Sequence, residues 1–148
     1  MSAVPSAGPA RSKTIATWLA LLGGSLGLHR IYLFGWRDPW AWLHPWPTLV
    51  GAYGFWRMRN FGVDDARGST LVPLLGIMLA ATMLQAIVYG LTSDERWAAR
   101  HGATSAAIQR GWLTYFGVVV ALAVGTSIAV ATIAFTAQRY FESRVEIR

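Results

Sequence analysis

The sequence predicts an all-α integral membrane bundle of about four transmembrane helices plus a short interfacial helix. Three observations carry this. Apolar residues make up 54% of the 148 and Asp, Glu, Lys and Arg only 14%, against about 25% charged in an ordinary soluble domain. The charges cluster, leaving apolar runs close to the ~20 residues that cross ~30 Å of hydrocarbon. There are eight Trp, more than a small core can place, and indole sits well at the headgroup level.

Residues 1–13, rich in Ala, Pro, Ser and Gly and closing on Arg11 and Lys13, read as a disordered basic tail. No A-x-A cleavage pattern follows the next apolar run, which favours an uncleaved first span over residues 14–33. That span carries Gly23-x-x-x-Gly27 and Ala20-x-x-x-Gly24, small-residue spacings that let a second helix approach.

Trp36, Trp40, Trp42 and Trp46 crowd an interfacial turn with Pro39, Pro45 and Pro47. A second span follows. It begins at Pro47 if straight, or at Pro39 if it bends at the prolines, and the bent form has the length to cross. A charged loop at 57–69 leads to a third, uncharged span over 70–91, with Pro73 in its first turn.

The polar connection 92–111 opens with Thr92-x-x-Glu95, which fits a capping box. Trp97, His101, Thr104, Ile108 and Trp112 recur at helical steps, as in a helix lying on the membrane surface. The fourth span, 112–137, has Gly117, Ala121 and Gly125 on one face. Residues 138–148 read as a charged tail. The chain thus divides into a tail (1–13), a helical hairpin (14–60), a second helix pair (61–137) and a C-terminal tail.

The net charge of +6 does not point to nucleic acid. The basic residues flank apolar runs instead of forming a stripe, as expected where they set topology and touch anionic headgroups. With four spans, the two tails and the 57–69 loop share a side and hold eight basic residues, against five on the other. That bias places both termini in the cytoplasm. Lys13 is the only lysine, an Arg skew that points to a GC-rich genome; the expected location is a bacterial inner membrane. The sequence has no Cys, which excludes thiolate metal sites and Cys nucleophiles.

The segment Gly24-Ser-Leu-Gly27-Leu-His29-Arg30-Ile-Tyr32-Leu-Phe-Gly35 resembles the motif of the TM-two domain family. That family is a module of two membrane helices joined by a short polar turn. Its pattern, G-x-x-G-x-H-R-F-Y-L-G after a basic residue and an apolar helix, is matched at Lys13, Gly24, Gly27, His29, Arg30, Tyr32 and Leu33. Ile31 replaces the usual Phe, and the last Gly comes one place late. Trp56 is followed by Arg57, Met58 and Arg59, where the family tends to carry an acid. The resemblance covers 13–60, with two further helices beyond it, and it implies a membrane module without assigning an activity.

His29, Arg30 and Tyr32 are the candidate contacts for a lipid headgroup or partner. Arg offers a planar fork for phosphate, and His and Tyr add donors. Equally, the three would serve as an interfacial anchor. The partners open to Arg30 are Asp38, a carbonyl near Pro45, or a lipid phosphate, of which phosphate suits guanidinium best. Gln85, with Thr82, is the polar point inside an uncharged span, where an interhelical hydrogen bond is the ordinary role.

Asp64-Asp65 and Asp94-Glu95 are adjacent acids that read as caps and topology charges. The three His show no metal-ligand spacing, and no catalytic motif stands out. No catalytic residue, metal or cofactor is expected. The expected role is a non-catalytic multi-pass protein that positions or regulates membrane partners, alone or as a homo-oligomer. A small oligomeric transporter or channel ranks second, and a lipid-headgroup enzyme third.

Overall fold

The computed structural model describes residues 10–102 and 111–145, and every regular element among them is helical. In chain order these are α1 (Lys13–Gly23), a 3-10 turn (Gly24–Leu26), α2 (Leu28–Phe34), α3 (Pro39–Leu43), α4 (Pro45–Phe61), α5 (Ala66–Leu91), α6 (Asp94–His101) and α7 (Trp112–Val145). Residues 1–9, 103–110 and 146–148 lie outside the described residues, and with them Thr104 and Ile108.

Among the described residues α5 and α7 are long and apolar enough to cross a membrane. Their 26 and 34 residues extend ~39 and ~51 Å at ~1.5 Å per residue. Asp65 caps α5, its carboxylate accepting from Gly68 N–H at 2.7 Å, so the helix begins at Ala66. Pro73 therefore falls inside α5 and not in its first turn. Helix α7 continues to Val145, so most of the expected charged tail is helical. Gln138 and Arg139 both donate to Glu142 there, at 2.8 and 2.9 Å.

The first apolar run is not one helix. Ser12 caps α1 by accepting from Ile15 N–H, but the helix ends at Gly23, and Gly27 adopts φ 78°. A left-handed backbone suits only glycine at low cost. A Cβ on Gly27 would also strike the Ala41 carbonyl oxygen. The chain reverses, and α2 runs back along α1 until the Tyr32 hydroxyl accepts Ser12 N–H at 2.9 Å. Gly23 and Gly27 thus build a turn, not the helix-packing face expected of them. Gly23 packs on Leu28 of its own hairpin.

The long helices fix the direction of everything else. Lys13 pairs with Asp94 at 2.7 Å and Thr14 with Thr114 at 2.5 Å. The start of α1 therefore sits with the end of α5 and the start of α7. Helix α4 runs antiparallel to α5, with Gly51 opposite Leu75 and Gly54 opposite Leu71. At the far end Arg139 faces Asp64 at 3.9 Å. Lys13 and Val145 consequently lie at opposite ends of the bundle. Four equivalent crossings would have placed them together.

Helices α1, α5 and α7 meet at Ala20, Met83, Ala86 and Ala121, all buried. Gly117 faces Thr17 and Trp18, and a Cβ on Gly125 would lie 2.7 Å from Met83 Cβ. Gly117, Ala121 and Gly125 are all buried in this interior. Around the outside, Ile77, Leu84, Val119, Leu122, Val130 and Ile133 are each more than half exposed.

Candidate functional site

The hairpin turn carries the chain's motif residues to three different places. His29 is fully buried at 0% exposure. Its ring lies 5.5 Å from that of His44, edge-on, and 5.9 Å from that of Tyr89. Gln85 of α5 is its polar neighbour. Yet neither ring nitrogen of His29, nor Gln85 Oε1, has a hydrogen-bond partner among the described residues. Thr82, the other polar residue of this span, donates within its own helix to Leu79 O at 3.0 Å and packs on Gly24. His44 reaches this cluster because α3 breaks at Pro45. Its Nδ1 is 2.7 Å from Trp40 O, which leaves Nε2 as the lone-pair nitrogen in the neutral ring.

Arg30 points elsewhere. Its Nε donates to Asp38 Oδ2 at 2.7 Å and its guanidinium lies 5.0 Å from the Phe34 ring centre. Of the partners open to it, the acid eight residues on takes Nε. Asp38 also caps α3 through Trp40 N–H at 3.2 Å. The Arg30 hydrogen bond holds the Asp38 carboxyl below the usual range.

Tyr32 belongs to a third set, which ties residues 11–13 to α6. Arg11 donates to Tyr32 O and sits over its ring, and Trp97 Nε1 donates to Arg11 O at 2.8 Å. Trp97, one of the stripe expected on a helix lying on the membrane surface, is 2% exposed. Helix α6 is capped by Ser93 and not by Thr92, whose hydroxyl turns back to Val88 O. Burial, with Arg100 and Arg11 nearby, lowers the His101 pKa.

The clasp occurs twice in the sequence. Gly24-x-x-Gly27-x-x-Arg30-x-x-x-Phe34-Gly35-x-x-Asp38 recurs as Gly51-x-x-Gly54-x-x-Arg57-x-x-x-Phe61-Gly62-x-x-Asp65. The two copies close the same clasp. Arg57 pairs with Asp65 at 2.8 and 2.9 Å and lies 5.0 Å over Phe61. Gly35 and Gly62 cap α2 and α4 with φ 88° and 92°, and each aspartate caps the helix that follows. The regular spacing was the available signal.

No group of three or more His, Cys, Asp or Glu side chains that could hold a metal ion occurs among the described residues. Comparison of the chain with protein-family models, with curated proteins and with solved structures found no match.

Proposed function

We propose that this chain is a non-catalytic, multi-pass protein of a bacterial inner membrane, related to the TM-two module, whose role is to position or regulate partners in the bilayer. The observation that carries the reading is the contrast between outside and inside. Large apolar side chains ring α5 and α7, while three ion pairs close near the helix ends: Lys13 with Asp94, Arg30 with Asp38, Arg57 with Asp65. That is the pattern a hydrocarbon solvent selects.

In this reading the chain crosses three times, through α3 with α4, through α5 and through α7. The α1–α2 hairpin enters from one face and returns to it. Non-helical backbone at such depth is tolerated where protein covers it, and Gly24 and Gly27 are covered by Thr82 and Ala41. Trp36, Trp40 and Trp42, all exposed, form the aromatic belt of that face. Basic residues among those described then divide six at the hairpin end and five at the other, so their bias no longer orients the chain.

Reporter fusions to Met1 and to Arg148 test the architecture. Opposite sides for the two termini are expected; termini on one side would overturn three crossings. Affinity capture from native membranes tests the role, with a stoichiometric membrane partner expected and a pure homo-oligomer counting against it.

A further inference from the structure

From the cluster at the hairpin we infer a binding site for a monovalent copper ion, held by His29 and His44 with Gln85 as a third donor. The inference goes beyond the membrane role and rests on different residues. A buried imidazole with no hydrogen bond of good geometry at either nitrogen is costly, because burial weakens its contact with water. His29 is such a group, and the Gln85 carbonyl oxygen beside it is another. His44 completes the set. Its Nδ1 bond to Trp40 O is the arrangement that fixes a metal-ligating histidine's tautomer and directs the other nitrogen to the ion.

The spacing agrees. Two imidazoles that share one ion, each nitrogen ~2 Å from it, have ring centres roughly 5–6 Å apart, and these are 5.5 Å apart. The donor set then selects the ion. Calcium and magnesium need a cage of oxygens, and structural zinc needs four ligands, commonly with thiolate or carboxylate charge. Here the donors are two neutral rings and an amide oxygen. The nearest charges, Arg30 and Asp38, cancel in their own pair. The desolvation cost of an ion rises with the square of its charge, so a site without compensating anions favours a single charge over two. Imidazole is a good copper ligand, and the monovalent ion accepts two or three donors.

The test is anaerobic titration of the full detergent-solubilised chain with Cu(I) against a competing chelator, in parallel with Zn(II). One Cu(I) per chain is expected, bound more tightly than Zn(II), with an X-ray absorption signature of two imidazole nitrogens at roughly 2 Å. His44→Ala and His29→Asn should each weaken binding at least about tenfold, and Gln85→Leu should weaken it less. His44 is partly exposed, so that variant is expected to keep the fold, which circular dichroism checks. His101→Ala, at a ring that packs on Trp97, should bind as wild type. No stoichiometric Cu(I) in the wild type, tighter Zn(II), or binding that survives His44→Ala would overturn the site.

Discussion

The two copies of the clasp share their chemistry and differ in what precedes it. In the second copy Gly51 and Gly54 stay helical inside α4 and let it press against α5 at Leu75 and Leu71. In the first, Gly24 lies in a 3-10 turn and Gly27 is left-handed, so the chain doubles back. Gly23 stands where the second copy has Val50. Each glycine costs a helix about 1 kcal/mol relative to alanine, and three within five residues make a turn competitive. The Gly27 contact with Ala41 O then holds that turn against α3. A Gly-x-x-Gly spacing is thus compatible with a packing face or with a reversal, and local glycine density tips the choice.

Substituting the glycines separates these uses and should produce the largest effects. Gly27→Ala faces a left-handed backbone worth about 1–2 kcal/mol and a collision with the Ala41 carbonyl. Gly35 and Gly62 have open space around a new Cβ, and only their glycine-favouring backbone resists it, at about 1–3 kcal/mol. Thermal unfolding of the purified chain should therefore rank Gly27→Ala as the most damaging, with Gly35→Ala and Gly62→Ala equal to one another. Unequal losses at Gly35 and Gly62 would mean that the two clasps are not equivalent.

The carboxylates give a smaller effect with a pH signature. Asp65 makes two bonds to Arg57 and accepts Gly68 N–H at 2.7 Å, whereas Asp38 makes one bond to Arg30 and accepts a longer one from Trp40. The Arg57 hydrogen bond, helped by Gly68 N–H, lowers the Asp65 pKa from 3.8 to about 2. A carboxyl depressed by folding stabilises the fold above its ordinary value and loses that contribution as pH falls through the folded one. The melting temperature should drop as pH falls from 3.8 towards 2. Asp65→Asn should melt lower at neutral pH and lose that drop, and Asp38→Asn should do both to a lesser degree. A pH profile unchanged by Asp65→Asn would assign the acid sensitivity to other groups.

The two long helices and the Gly117–Ala121–Gly125 face were legible because each depends on residues near in sequence. The hairpin was not, since hydropathy records how apolar a run is and not whether it reverses. Asp38 stood among the partners open to Arg30, but nothing local singled it out. Eight residues exceed the i+4 reach of one helix, and only the turn at Gly35 closes the gap. His29, His44 and Gln85 come from three elements, and no local pattern joins them. The 27-residue recurrence of glycine, arginine, phenylalanine and aspartate was in plain view and would have revealed both clasps.

The smallest expected effect compares the two arginines. Arg57 engages Asp65 through Nε and Nη2, a fork that lysine cannot reproduce. Arg30 engages Asp38 through Nε alone, and its remaining role is to lie over Phe34. A lysine ammonium is able to make one charge-assisted bond to Asp38 and to rest on an aromatic face. Arg30→Lys should therefore shift stability by no more than about 0.5 kcal/mol, while Arg57→Lys lowers the melting temperature visibly. Retention of co-purifying anionic lipid, measured on the same Arg30→Lys preparation, separates pairing from recognition. Normal lipid content is expected if Asp38 is the partner that matters. Loss of lipid with unchanged stability would return Arg30 to the headgroup contact its position in the sequence predicts.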